Sequence, residues 1–130
     1  MKYAALTGIN PSVISELRLG RPRTLELHSA HNIFTLAEVE PNSFIFMTST
    51  DLEDLAPGDA GILANVIGIS ISMKRVIEYS NPLFIEERER TSARVQLRYT
   101  CTSTIKSVEA RGMRQATIVD AVKAPQYCAL

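Results

Sequence analysis

From Thr24 onward the apolar residues of this 130-residue chain recur at every second position. A two-residue period is the mark of strands with one face buried and one exposed. Leu25 and Leu27 alternate with Thr24, Glu26 and His28. Residues 33–40 (IFTLAEVE) and 43–49 (SFIFMTS) read as further strands, with a Pro41-Asn42 turn between them. Residues 61–72 form a long strand with a bulge or bend at Gly68. Residues 73–80 and 84–90 flank a loop at Asn81-Pro82, 93–110 is the longest strand, and 116–124 closes the domain.

The pattern ahead of this region is different. Residues 2–9 form a short first strand. Asn10 then caps a helix, and Pro11 stands at its first position, where the missing N–H costs nothing. Val13, Ile14 and Leu17 share one helical face, and Gly20 supplies the left-handed stop. Asp51 to Leu55 fits a single helical turn capped by Thr50 or Asp51, and residues 57–61 (PGDAG) a tight turn. One or two short helices among six or more strands joined by short turns predict an α+β, mainly β fold. Its expected form is an antiparallel barrel or strongly curved sheet. Residues 1–124 make a single domain and 125–130 a C-terminal tail.

Composition narrows the function. At 45% hydrophobic and 22% charged the chain can bury its own core, and the formal net charge is zero. No global field draws in nucleic acid or an anionic membrane. The halves differ, however: residues 1–65 carry four Lys/Arg against eight Asp/Glu, residues 66–130 ten against six. A local basic face belongs to the second half. Cys101 and Cys128 have neither metal-ligand nor redox-pair spacing, which fits a reducing cytoplasm. The N-terminal residues lack a secretory pattern, and no apolar run approaches the ~20 residues that span a bilayer. A cytoplasmic protein without membrane contact is expected.

Two stretches carry candidate chemistry. In GRPRTLELHSAHN (20–32) Arg21 and Arg23 stand at the strand entrance, where guanidinium groups hold phosphate or carboxylate bidentately. Thr24, Glu26 and His28 share the strand face opposite Leu25 and Leu27. His28 and His31 are three apart, but a zinc site needs three or four ligands, and only Glu26, Cys101 and Cys128 could complete one. No metal and no cofactor are expected. In ARVQLRY (93–99) Arg94, Gln96 and Arg98 form a basic stripe, continued by Arg88 and Arg90. Such a stripe can track a phosphate backbone. The bland alternative is a solvated face paired with Glu86, Glu87 and Glu89. Tryptophan is absent, and most Phe and Tyr fall at core-like positions, so no base-stacking platform is indicated. Nucleophile elbows, phosphate-binding glycine loops and dinucleotide fingerprints are missing.

Two resemblances add to this reading. The opening KYAALTGI, then RTLELHSAHNIFTL, FMTSTDLEDLAPGDAGI and ARVQL resemble, over nearly the whole chain, an archaeal family of uncharacterised proteins that is a domain of unknown function. At fold level, a helix, a glycine, Arg23-Thr24-Leu25-Glu26-Leu27-His28 and a later Gly58-Asp59 before a long strand are similar to the PUA-like group and its ASCH branch. That resemblance covers roughly the first half. It implies a small β-barrel whose helix delivers a strand of pattern Lys/Arg-Thr-x-Glu-x-Arg to a cleft, and binding of RNA or modified nucleotides. His28 stands where the pattern has arginine, and the long spacing to Gly58-Asp59 leaves room for an extra hairpin at 33–49. Some ASCH members are amide hydrolases built on Lys-Thr-x-Thr. Here arginine, which stays protonated, and Glu26 replace the lysine and second threonine, which argues against that chemistry.

The sequence thus points to a PUA-like binding module for RNA or a nucleotide-like ligand. Arg21 and Arg23 would hold phosphate, Thr24, Glu26 and His28 would line the cleft, and Arg94, Gln96 and Arg98 would extend the surface. One alternative is a small enzyme acting on a nucleoside or amide with Glu26 or His28 as general base. Another is a protein-interaction subunit, with a homodimer formed through the strand edge at 44–48.

Overall fold

The computed structural model describes residues 1–81, 84–111 and 115–123, with side chains throughout except at 74–81 and 84–90. The expected tail at 125–130 with Cys128, Pro82 of the expected loop, and the side chains of Arg88 and Arg90 lie outside those residues. The elements run β1 (Lys2–Leu6), α1 (Pro11–Arg18), β2 (Arg23–Leu27), α2 (Ala30–Ala37), β3 (Phe44–Met47), a 3-10 turn (Leu52–Asp54), β4 (Ala60–Asn81), β5 (Phe84–Ala110) and β6 (Ile118–Lys123).

Local chemistry starts and stops α1 where the sequence indicates. The Asn10 side-chain oxygen accepts from the Ser12 N–H at 3.0 Å, and Pro11 occupies the first turn. Gly20, at φ +88°, donates its N–H to the Leu17 carbonyl at 3.0 Å and turns the chain into β2. The expected PGD turn also forms: Gly58 has φ +93°, and the Asp59 carboxylate accepts from the Ala56 N–H at 2.8 Å.

The strands form one six-stranded sheet in the order β2-β5-β4-β3-β1-β6, and β6 also pairs with β5. Strands β5, β4, β3, β1 and β6 therefore make a partly closed ring, with β2 attached outside it on β5. The sheet is mixed rather than wholly antiparallel as expected, because β1 and β3 run parallel. The crossover that a parallel pair needs is supplied by α1, β2 and α2. The expected edge at 44–48 is not an edge, since β3 is paired on one side with β1 and on the other with β4.

Residues 33–40 are not a strand. Most of that segment is α2, so the expected hairpin at 33–49 is a helix followed by a single strand. Its buried residues are Asn32, Thr35 and Leu36, at helical spacing. Two of the three are polar, which conceals the helical period from a reading of apolar positions. Residues 61–72, read as a strand, and 73–80, read as flanking a loop, are continuous in β4, and 84–90 is continuous with 93–110 in β5. The expected bulge is present: the β4–β5 register shifts between Val66 and Gly68.

Two buried clusters divide the two faces of the sheet. Tyr3, Ala5, Phe46, Leu63, Cys101, Ile105, Val119 and Ala121 come from all five ring strands and fill the ring with Leu55. Leu25, Ile45, Met47, Ile62, Ala64, Val66, Val95 and Leu97 lie on the other face, under Ile14 and Leu17 of α1 and Leu36 of α2. Gly61 is held by packing: a Cβ there would stand 2.4 Å from the Met47 carbonyl oxygen and 2.5 Å from Phe46 Cζ.

Candidate functional site

Leu25, Val95 and Leu97 belong to the helix-covered cluster. The alternation of a strand therefore turns Thr24 and Glu26 of β2, and Arg94, Gln96 and Arg98 of β5, to the opposite face. The register joins them into rows. Thr24 pairs with Gln96, which pairs with Gly68 of β4. Glu26 pairs with Arg94, which pairs with Ser70. Arg98 pairs with Asn65, and Asn65 with Phe44 of β3. Thr24, Glu26, Arg94, Gln96 and Arg98 are all exposed. Because Phe46 and Leu63 on the same face line the ring, this polar surface continues outward from the ring's mouth.

Glu26 is the electrostatic hub. Its carboxylate lies 3.8 Å from the Arg94 guanidinium and 3.5 Å from His28 Nε2. All three side chains are about half exposed or more, so these pairs orient rather than stabilise. Further along, Ser72 and Ser92 hydroxyls meet at 3.2 Å, and the backbone register places Lys74 opposite Arg90.

Five of the eight residues indicated by sequence thus share one face, and His28 joins them through Glu26. The other two do not. Arg23 pairs with Leu97, on the helix-covered side, and forms an ion pair with Glu16 of α1. Arg21 is exposed and, with Glu16, Leu19, Pro22 and Arg23, borders an open cleft of about 490 Å³. His28 and His31 open onto different clefts. His28 faces one of about 280 Å³ beside Asn10 and Val13, and His31 one of about 430 Å³ beside Asp51 and Glu53. Among the described residues no three His, Cys, Asp or Glu side chains come together in a way that could hold a metal ion.

Sequence reasoning missed the contribution of β3 and β4: Phe44, Asn65, Gly68 and Ser70. Phe44 is 46% exposed, one of the aromatics outside the core-like positions expected of most Phe and Tyr. Its signal was its place at the start of a strand, where the alternation has not yet committed it to the core. Among the described residues no helix is long and apolar enough to cross a membrane.

The family model described as "Protein of unknown function (DUF473)" matches residues 1–119. An uncharacterized protein of the archaeon Methanocaldococcus jannaschii is 33% identical over 97 residues, which is 75% of this chain and 60% of that relative. The chain thus aligns with about three fifths of the relative's length. No solved structure matches it. The archaeal likeness of KYAALTGI and RTLELHSAHNIFTL accordingly rests on a match across nearly the whole sequence, and the chain belongs to the DUF473 family of proteins of unknown function.

Proposed function

We propose that this chain is a binding module for RNA or a nucleotide-like ligand, and that the shared face of β2, β5 and β4 is its contact surface. The observation that carries this is the register that sets Thr24 beside Gln96 and Glu26 beside Arg94, all exposed, with Arg98 in the next row. An exposed row of guanidinium, amide, hydroxyl and carboxylate groups suits a polyanion with polar bases. Arg94 and Arg98 take the phosphate role first assigned to Arg21 and Arg23, because Arg23 pairs with Leu97 on the helix-covered side, away from this face, where it meets Glu16. Arg21 supplies a further charge at the head of β2. The PUA-like reading belongs to the same proposal: a ring of strands with α1 delivering β2 to a polar face is the arrangement that group would need. The module would act in the cytoplasm.

Fluorescence anisotropy with tRNA and with short single-stranded RNA across a salt series tests this. Log affinity should fall linearly with log salt, and Arg94→Gln/Arg98→Gln should flatten the slope by about 1.4 for single strands, two phosphate contacts at about 0.7 each. Absence of binding at low salt, or binding indifferent to salt, overturns the proposal.

A further inference from the structure

We infer that the outer edge of β4 pairs antiparallel with the same edge of a second copy of this chain, about a two-fold axis at Val76. The long β4–β5 hairpin is then a dimerisation arm. The inference stands apart from the binding reading above.

β2 and β3 accompany β5 and β4 only part of the way. The last β2 rung on β5 is Leu27↔Ala93, and the last β3 rung on β4 is Phe44↔Asn65. From Ser72↔Ser92 to Asn81↔Phe84, among the described residues, β4 and β5 pair with each other alone. Ten residues of β4 at strand spacing make an arm about 33 Å long. A two-stranded ribbon by itself is marginal in water, and each of its edges is an unpaired row of N–H and C=O groups. The edge at 44–48, where a homodimer was expected, is closed by β1 and β4, whereas this one is open.

The rungs of the arm select the occupant. Lys74 stands opposite Arg90, and Glu78 opposite Glu86. Like charges directly opposite each other destabilise a strand pair, so the hairpin alone works against itself at two rungs. A third strand that set an acid beside Lys74 and a base beside Glu78 would resolve both. A second β4 is such a strand. Laid antiparallel about Val76, it sets the partner's Glu78 beside Lys74 and the partner's Lys74 beside Glu78, and two-fold symmetry makes each gain count twice. The odd-numbered rows fit too: Met73, 64% exposed on this edge, falls beside the partner's Tyr79. Other centres do not serve. A dyad at Arg75 sets arginine on arginine, and one at Ile77 sets Val76 beside the partner's Glu78. On the β5 edge, dyads at Glu87, Arg88 and Glu89 each put like charges on the axis. The copy also has room, because Asn81 ends beside the partner's Ile71. The partner's β3 stops at Asn65, six residues or about 20 Å further on. A polyanion suits the arm less well, since residues 72–92 carry four Lys/Arg against four Asp/Glu.

Lys74→Glu and Glu78→Lys separate the dimer from the fold. Each turns a like-charge rung of the hairpin into an opposite-charge one, so neither variant, diluted to monomer, should melt below the wild type. Each also brings like charges together twice across the dyad. Sedimentation equilibrium over a dilution series should find the wild type dimeric and either single variant dissociating roughly tenfold more readily or worse. Lys74→Glu/Glu78→Lys together restore opposite charges across the axis and should dimerise at least as tightly as the wild type. A monomeric wild type overturns the inference. So does a single variant that dimerises as tightly as the wild type, or a double variant that does not recover. If the wild type is a monomer and Lys74→Glu weakens RNA binding instead, the arm serves a polyanion and not a second copy.

Discussion

Asp120 gives up its charge less readily than a free carboxylate. The N-terminal ammonium donates a hydrogen bond to its Oδ1 at 2.7 Å, and this bond, helped by the charges of the terminus, Lys106 and Lys2, outweighs partial desolvation and holds the carboxyl below its ordinary 3.8. A carboxyl depressed in the folded state adds stability that is present above the unfolded pKa and is lost as pH falls through the folded one. Urea midpoints of the wild type and Asp120→Asn should therefore differ at pH 6 and converge as pH drops below 3.8. A wild-type advantage that persists unchanged at pH 2 refutes the pairing. At this scale the candidate site was largely legible. Thr24, Glu26, Arg94 and Gln96 could be placed on one face by parity alone, since Leu25 and Val95 had to be inside. The same parity counts against Arg23, which is adjacent to Thr24 and must point the other way. What parity cannot reveal is that β4 supplies a bare glycine, and β3 an exposed phenyl, to that surface. Those are facts of pairing between segments 20 and more residues apart in sequence.

Among the elements, α2 shows where local reading fails and why. Ile33, Phe34 and Thr35 favour strands, yet they lie in a helix. Polar anchors to other elements decide the matter. The Asn32 amide donates to the Thr7 carbonyl at 2.9 Å and accepts from the Thr7 N–H at 3.0 Å, both buried. The Thr35 hydroxyl donates to the His31 carbonyl at 3.0 Å and accepts from the Thr117 N–H at 3.1 Å. One helix face thereby satisfies backbone groups just past the end of β1 and just ahead of β6, groups that no strand reaches. Asn32→Leu should cost about 3 kcal/mol in urea unfolding, since it leaves a buried donor and a buried acceptor unpaired. A loss under about 1 kcal/mol would mean that water replaces the amide. By contrast α1, whose cap, proline and glycine all act within the segment itself, could be read almost to the residue.

For the molecule as a whole, the ring depends on its last strand. β6 pairs with β1 on one side and with β5 on the other, through Lys2↔Asp120 and Ile105↔Ala121 among other rungs. Arg111 braces the approach by donating to the carbonyls of Leu52, Glu53 and Leu55 at 3.1–3.4 Å. A chain ending at residue 116 should lose the cooperative thermal transition and the near-ultraviolet dichroism of packed aromatics. If it melts cooperatively within a few degrees of the full chain, the ring is not what stabilises the sheet. A barrel or curved sheet was legible in the sequence, but not which strands close it, because which strand meets which is decided by loop geometry and by the parallel β1–β3 pair.

The β1–β6 seam also sets an order of events during synthesis. Residues 2–6 leave the ribosome more than a hundred residues ahead of their second partner, residues 118–123. Until then one edge of β1 and the far end of β5 are open templates for any passing strand. Domain folding at the ordinary pace of translation therefore holds these edges unpaired for several seconds. The growing chain is most exposed to mispairing just before β6 emerges, and the docking of β6 is the step that seals it.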